Sequence, residues 1–342
     1  MFHPNFIYTQ NMVNDLLKIN SIRNFIVNAH LLVEMEVSFK REALLKSAHY
    51  STAIEGNPLT LNEVDKLARG LKVSADENAQ QGVLNYLNVL KKLDMYSSDE
   101  KITKESILKL HHDINYQILD DNCLCGKYRT VPVFMSNNLG EVIFTPPSAY
   151  LVEREMEKFI KWINNLGDLN PVIAAGIVHY EFMRIQPFTE GNGSTARALT
   201  ALFLHLEEFD VDRFFTLDEY YDSDLTEYYK ALNSVDKKTK DMTEWLVYFL
   251  EGFLISISRI KDQILLFSPD VSPQEQIKLS KKQIKIIEYL HLNGQISNLE
   301  VKKLFNISRQ GAYKDLRRLM DLNLIEKKGG SRSTYYILKN NF

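Results

Sequence analysis

Ile185-Gln186-Pro187-Phe188-Thr189-Glu190-Gly191-Asn192-Gly193-Ser194-Thr195-Ala196-Arg197 is the stretch on which the reading turns. Apolar residues at helical spacing run into it over 171–185 and out of it over 194–207, so it is a glycine-containing loop that opens a helix. The first amide groups of a helix lack partners and sit at its positive dipole end, so such a place attracts anions. Gly191 and Gly193 allow close approach of backbone to a phosphate. Arg197, in the first helical turn, adds a forked cation suited to phosphate oxygens. Glu190 could hold a Mg²⁺ bridging those oxygens. Taken alone, a G-x-G ahead of a helix is more often a capped turn between packed helices.

The surrounding pattern is mostly helical. Periodicity predicts helices over 11–34, 37–55, 61–71, 78–93, 103–119, 148–164, 171–185, 194–207, 219–235 and 243–267. Gly56 and Pro58 stop the second, Thr103 caps the fifth, and Pro171 suits a first turn. Val131-Pro132-Val133-Phe134 and Glu141-Val142-Ile143-Phe144 flank Asn137-Asn138-Leu139-Gly140 and read as a β-hairpin. Ser268-Pro269-Asp270-Val271-Ser272-Pro273 reads as a linker. Three short helices (281–293, 297–305, 309–322) and a hairpin around Gly329-Gly330 follow, which is the winged-helix order. The expected domains are a helical region at 1–100, a core at 101–267 and a winged helix-turn-helix at 275–342.

The full loop resembles the Fic signature H-P-F-x-[DE]-G-N-G-R-x-x-R. Seven of its nine fixed positions are kept: Pro187, Phe188, Glu190, Gly191, Asn192, Gly193 and Arg197. Val178-His179-Tyr180-Glu181-Phe182, Gly126-Lys127-Tyr128-Arg129 and Asp241-Met242-Thr243-Glu244-Trp245 agree with the family's flanks. The resemblance spans roughly residues 10–260 and implies a mainly α fold: a Fic-type helical core with a small β-hairpin flap, plus the winged helix. It implies a protein adenylyltransferase (AMPylator) class, with ATP and Mg²⁺ as ligands and a Ser, Thr or Tyr hydroxyl of a protein as acceptor. Gly191, Asn192, Gly193, Ser194 and Arg197 then form the nucleotide cradle and Glu190 the metal position. Val131, Pro132, Val133 and Phe134 belong to the flap. Ser51-Thr52-Ala53-Ile54-Glu55-Gly56-Asn57 looks like the family's inhibitory motif, in which Glu55 would pair with Arg197 and keep ATP from a productive pose.

Two signature positions depart. The family's catalytic histidine is Gln186, whose amide does not titrate near neutral pH and cannot serve as a general base. Losing that role costs ~10²–10⁴ in rate. The first signature arginine is Ser194, which brings no charge. Met183 stands where many relatives have Glu. Three readings stay open: a degenerate nucleotide binder, a slow or altered transferase using another base, and an engineered inactive variant.

Charge separates the C-terminal segment from the rest. Residues 275–342 hold 14 Lys and Arg against 6 Asp and Glu, whereas the remainder holds 27 against 38. The second helix of the helix-turn-helix would present Arg309, Gln310, Lys314, Arg317 and Arg318, with Lys327, Lys328 and Arg332 on the wing. Arg and Gln can read base edges, and Lys and Arg contact phosphate. The alternative function is therefore a DNA-binding transcriptional regulator whose Fic domain serves as ligand sensor or dimerisation body; the same surface also suits docking. No apolar run is long enough to span a membrane. The N-terminus does not read as a signal peptide. Cys123 and Cys125 make a poor zinc site and a strained disulfide. These features point to a cytoplasmic protein with reduced thiols; a bacterial source and a homodimer are separate expectations.

Overall fold

The structure is a computed structural model that describes residues 2–29, 31, 33–119, 122–136, 142–209, 214–236, 238–267, 280–322, 324–330 and 334–339. The 268–273 linker, the 137–140 turn and Arg332 lie outside the described residues. One helix organises the rest. Helix α7 (Pro171–Ile185) is apolar on every side and buried almost throughout, as a helix at the centre of a core must be. Asn170 caps it by accepting from Val172 N at 2.9 Å, and Pro171 occupies N1, where no amide partner is lost. Its Gly176 lets α11 (Thr243–Phe267) come close. A Cβ there would lie 2.9 Å from Leu246 Cδ2, while Trp245 Nε1 donates to the Gly176 carbonyl at 2.8 Å.

Around α7 pack α6 (Val152–Ile163), α8 (Asn192–Leu206) and α11, and α1 (Gln10–Asn28) lies along α11. Helix α2 (Val33–Ile54) crosses this group and carries α3 (Leu61–Ala68) and α4 (Glu77–Lys91) beside it. Helix α5 (Lys104–Asn115) packs on α4 and α8. Thr103 caps α5 as expected, accepting from Ser106 N at 3.1 Å.

Three sequence expectations are corrected. The helix expected over 11–34 ends at Asn28, where Ala29 turns extended (ψ 124°) and a new helix starts at Val33. The helix expected over 219–235 is two: α9 (Asp218–Ser223) and α10 (Leu225–Asn233). Asp224 breaks it, leaving helical φ/ψ so that its carboxylate can cap α10 through Glu227 N at 2.9 Å. In the flap, β1 (Met135–Ser136) pairs antiparallel with β2 (Val142–Phe144). Val131, Pro132, Val133 and Phe134 are not the strand. Pro132 has no N–H to give to a ladder, and pairing starts only beyond it.

The C-terminal elements are α12 (Lys281–Asn293), α13 (Asn298–Phe305), α14 (Arg309–Asp321), β3 (Ile325–Lys328) and β4 (Tyr335–Leu338). Ser280 and Ser297 each form a capping box, with Gln283 and Glu300. Ile296 forms one isolated antiparallel bridge to Tyr336 of β4. These elements share a second apolar core, in which Leu290, Val301, Leu316 and Leu319 are buried. Val37 of α2 is buried in that second core too, so α2 reaches from the C-terminal elements to α8.

Candidate functional site

Helix α7 stops at Gln186, which takes the left-handed conformation (φ 45°, ψ 65°) while its amide still donates to Phe182 O at 3.0 Å. That turn sends the chain across to α8, whose N-cap is Gly191 at φ 66°. A Cβ at Gly191 would fall 2.3 Å from Asn115 Oδ1, so glycine is needed both for the dihedral and for the space. Asn192 closes the loop from within. Its Oδ1 accepts from Phe188 N and its Nδ2 donates to Phe188 O, both at 2.9 Å. Phe188 is fully buried and stacks on His111 with ring centroids 3.6 Å apart.

His111 and Arg129 hold the loop from outside, and neither role is visible locally in the sequence. His111 Nδ1 accepts from Gly126 N at 2.9 Å, which leaves Nε2–H to donate to Glu190 O at 3.0 Å. Burial pushes its pKa down to about 4, with the Glu190 carbonyl acting in the other sense. The ring is therefore neutral, and its acceptor nitrogen is occupied. Arg129 Nε donates to Gln186 O at 2.6 Å, Nη1 to Val131 O at 3.1 Å, and Nη2 to Pro147 O at 2.6 Å and Ile185 O at 3.4 Å. One guanidinium thus ties the α7–α8 loop to both ends of the flap. The only sequence hint was the 126–129 stretch ahead of the hairpin.

The helix N-terminus meets Glu55. Its Oε1 accepts from Ser194 N at 2.5 Å and from Arg197 Nη2 at 3.0 Å. Arg197 is 4% exposed and also donates from Nε to Ser51 Oγ at 2.7 Å and from Nη2 to Ser51 O at 2.8 Å, with Asp218 Oδ1 3.6 Å from Nε. Burial opposes its charge, yet Glu55 and its other neighbours hold it protonated, above its ordinary value. Glu55 reaches α8 because α2 ends at Ile54 and Gly56 turns left-handed (φ 89°), with Asn57 N returning to Thr52 O at 3.1 Å. Gly193 keeps the meeting point open: a Cβ there would touch Glu55 Oε1 at 3.0 Å and Arg197 Nη1 at 3.1 Å.

The candidate residues are thus brought together on one loop and one helix end. Gln186 is buried, its amide nitrogen 3.9 Å from Met183 Sδ. Ser194 turns its hydroxyl back to Gly191 O at 3.3 Å. The Glu190 side chain is exposed, and among the described residues no cluster of three His, Cys, Asp or Glu could hold a metal by itself. Val131 and Phe134 stand half or more exposed beside the loop. His179, in the family flank, is a core residue between Thr200 Oγ1 (3.2 Å) and Tyr228 OH (2.8 Å). Cys123 and Cys125 form no disulfide. In the C-terminal elements, Arg309, Gln310, Lys314, Arg317 and Arg318 are all exposed on α14, while Ala312, Leu316 and Leu319 are buried. Lys327 and Lys328 are exposed on β3. No helix among the described residues is long and apolar enough to cross a membrane.

Comparison with known proteins agrees with this geometry. Residues 101–204 match the Fic/DOC family. The chain is 30% identical over 196 residues to the protein adenylyltransferase Fic of Nematostella vectensis, covering 53% of this chain and 43% of that protein. It is 28% identical over 171 residues to the protein adenylyltransferase fic-1 of Caenorhabditis elegans, covering 48% and 32%. The chain therefore spans less than half the length of these curated relatives. A solved Fic family protein from Desulfovibrio desulfuricans superposes over 99% of this chain and 98% of its own, with a TM-score of 0.68 and 21% identity, which extends the likeness in fold to the whole chain. The match of residues 101–204 to the Fic/DOC family takes in α7, the loop, most of α8 and the flap.

Proposed function

We propose that this chain binds ATP with Mg²⁺ at the N-terminus of α8 and belongs, by design of the site, to the protein adenylyltransferases. As it stands it transfers AMP slowly or not at all. The observation that carries this reading is the Glu55 carboxylate on Ser194 N and Arg197 Nη2. A carboxylate occupies the place where a phosphate would be held, so the donors there suit an anion. Adenylyl transfer needs the acceptor hydroxyl to lose its proton as its oxygen attacks the α-phosphate and pyrophosphate leaves. Gln186, at the loop's turn, cannot take that proton. His111 is no substitute, since Gly126 N already occupies its acceptor nitrogen. The exposed Glu190 is the residue that would hold Mg²⁺, which would neutralise phosphate charge. The exposed edge at Val131 and Phe134 is where a target peptide would lie against the flap. Calorimetry with ATP and Mg²⁺ on the full chain tests the reading; absence of binding to both the chain and its Glu55→Gly variant refutes it.

A second reading rests on a separate observation, the exposed Arg309, Gln310, Lys314 and Arg317 face of α14. On that reading the protein is a DNA-binding regulator, and the Fic domain senses a ligand. Nucleotide binding without labelling of any protein, together with sequence-selective duplex binding, favours it.

A further inference from the structure

The winged helix leaves a space where it meets the helical core. A cavity of about 690 Å³ lies between them, within the range of small-molecule sites. Its apolar wall is assembled from distant parts of the chain: Leu44 of α2, Leu90 and Leu93 at the end of α4, Leu204 of α8, and Tyr289 and Phe305 of the winged helix.

The charged groups of this cavity lean to one sign. Lys40, Arg41, Lys91, Arg197 and Lys285 line it, against Asp94 and Asp218. Both carboxylates are already committed. Asp94 pairs with His205 at 2.5 Å, and Asp218 accepts from Ser47 Oγ and from Thr216 Oγ1 at 2.7 Å, facing Arg197 Nε at 3.6 Å. Lys40 pairs with Glu36 at 3.0 Å, and Arg41 with Asp65. Lys91 is different. It is half-buried at the end of α4 with no carboxylate partner among the described residues. Burial, then the neighbouring Arg41 and Lys92 charges, push its pKa down. An ammonium desolvated without a counter-ion is unfavourable, and an anion placed beside it removes that penalty.

We propose that this cavity binds a small anionic amphiphile, its acidic group on Lys91 and its apolar body against Leu44, Leu93, Leu204 and Phe305. The size of the space, its mainly apolar wall and the half-buried, uncompensated Lys91, with the more exposed Lys285 as a second cation on the rim, together select that chemistry over a nucleotide or a neutral lipid. The site is distinct from the α8 N-terminus: it meets Arg197 from the Asp218 side, not from the Glu55 side. An occupant would touch α2, α8 and the winged helix at once.

The test uses the full chain with decanoate and anilinonaphthalene sulfonate as probes, and decanol as the uncharged control. Calorimetry and fluorescence should show saturable binding of both anions, with decanol at least about tenfold weaker than decanoate, or ~1.4 kcal/mol. Lys91→Met keeps the apolar stem and removes the charge. It should weaken decanoate about tenfold while leaving the thermal midpoint unchanged or higher, because an unpaired cation is gone. Ala201→Trp projects into the cavity from α8 and should exclude both probes. Saturable binding of neither probe overturns the proposal. So does decanoate affinity that survives both substitutions, or decanol binding as tightly as decanoate.

Discussion

Glu55 Oε1 and Arg197 Nη2 lie 3.0 Å apart, although 142 residues separate them in the chain. The same oxygen also takes the Ser194 amide, so one carboxylate saturates the best anion donors of α8. Glu55 is 38% exposed at its side chain and Arg197 is 2% exposed. The arginine is thus a fixed part of the core, held also by Ser51 and Asp218, and the glutamate is the part that can leave.

Glu55→Gly should therefore free the donors without unfolding the site. ATP affinity in the presence of Mg²⁺ should tighten about tenfold, roughly 1.4 kcal/mol. Because the pair is partly solvent-screened, thermal stability should change by less than about 1 kcal/mol. Calorimetry and a thermal melt read the two quantities separately; unchanged affinity would show that Glu55 does not compete with nucleotide.

Restoring the departures should restore transfer. Gln186→His supplies a titratable base, Ser194→Arg adds phosphate charge, and Glu55→Gly removes the competitor. The triple variant should label itself or lysate proteins with AMP at least ~10²-fold faster than the unaltered chain. Mass spectrometry after incubation with ATP and Mg²⁺ gives the answer. Equal labelling by the unaltered chain would clear Gln186 of blame. A triple variant that binds ATP and stays silent would place the defect at Met183 or in the flap.

Arg129→Met should loosen the loop and flap together. It strips the donor from the carbonyls of Gln186, Val131 and Pro147, and a buried carbonyl left unpaired costs roughly 1–3 kcal/mol. Hydrogen exchange should accelerate at 186–191 and at Val142–Phe144. Arg129→Lys should recover little, since an ammonium lacks the planar fork that reaches carbonyls on two sides. Protection unchanged in Arg129→Met would rule out the clamp.

Acid should destabilise the core through two histidines. Burial lowers His111 to about 4 and His179 to about 3. Above the unfolded value near ~6.5 both states are neutral, so neither histidine makes stability depend on pH there. Below it the unfolded chain binds the proton first, so stability falls as pH drops from 6.5 towards 4, by up to about 1.4 kcal/mol per pH unit for each histidine. The loss levels off once the folded rings also protonate. Denaturant melts across this range should show His179→Gln with a shallower dependence than the natural chain; identical slopes would mean that His179 is charged in the fold.

If the exposed face of α14 binds DNA, as the second reading proposes, duplex affinity should weaken steeply with salt, because each neutralised phosphate releases counter-ion. Arg309→Ala and Lys314→Ala should each reduce affinity further, Lys314→Ala about equally for all sequences. A full chain that binds no duplex at low salt would leave docking as the role of the exposed α14 face.

Much of this architecture was legible before any coordinates. Helix α7 follows from its apolar run and from Pro171, and α5 from Thr103, because a cap bonds amides two or three residues away. The loop at 186–191 could be read locally as a glycine-containing turn that opens a helix, whereas Gln186 stood out as a missing base only through the Fic resemblance. The break at Asp224 was missed: helical periodicity continues across it, and only the choice of that carboxylate to cap α10 interrupts the backbone. From sequence Val131–Phe134 reads as a strand despite Pro132, and where pairing starts depends on register with a distant segment. Tertiary structure alone decided the contacts around the site. The Glu55–Arg197 approach could be expected only by resemblance. The Arg129 clamp, the His111 prop on Glu190 O and the closeness of Gly191 to Asn115 had no local signal. Each joins groups from separate helices, and a pairing of that kind exists only when packing around α7 sets those helices at the right depth and angle.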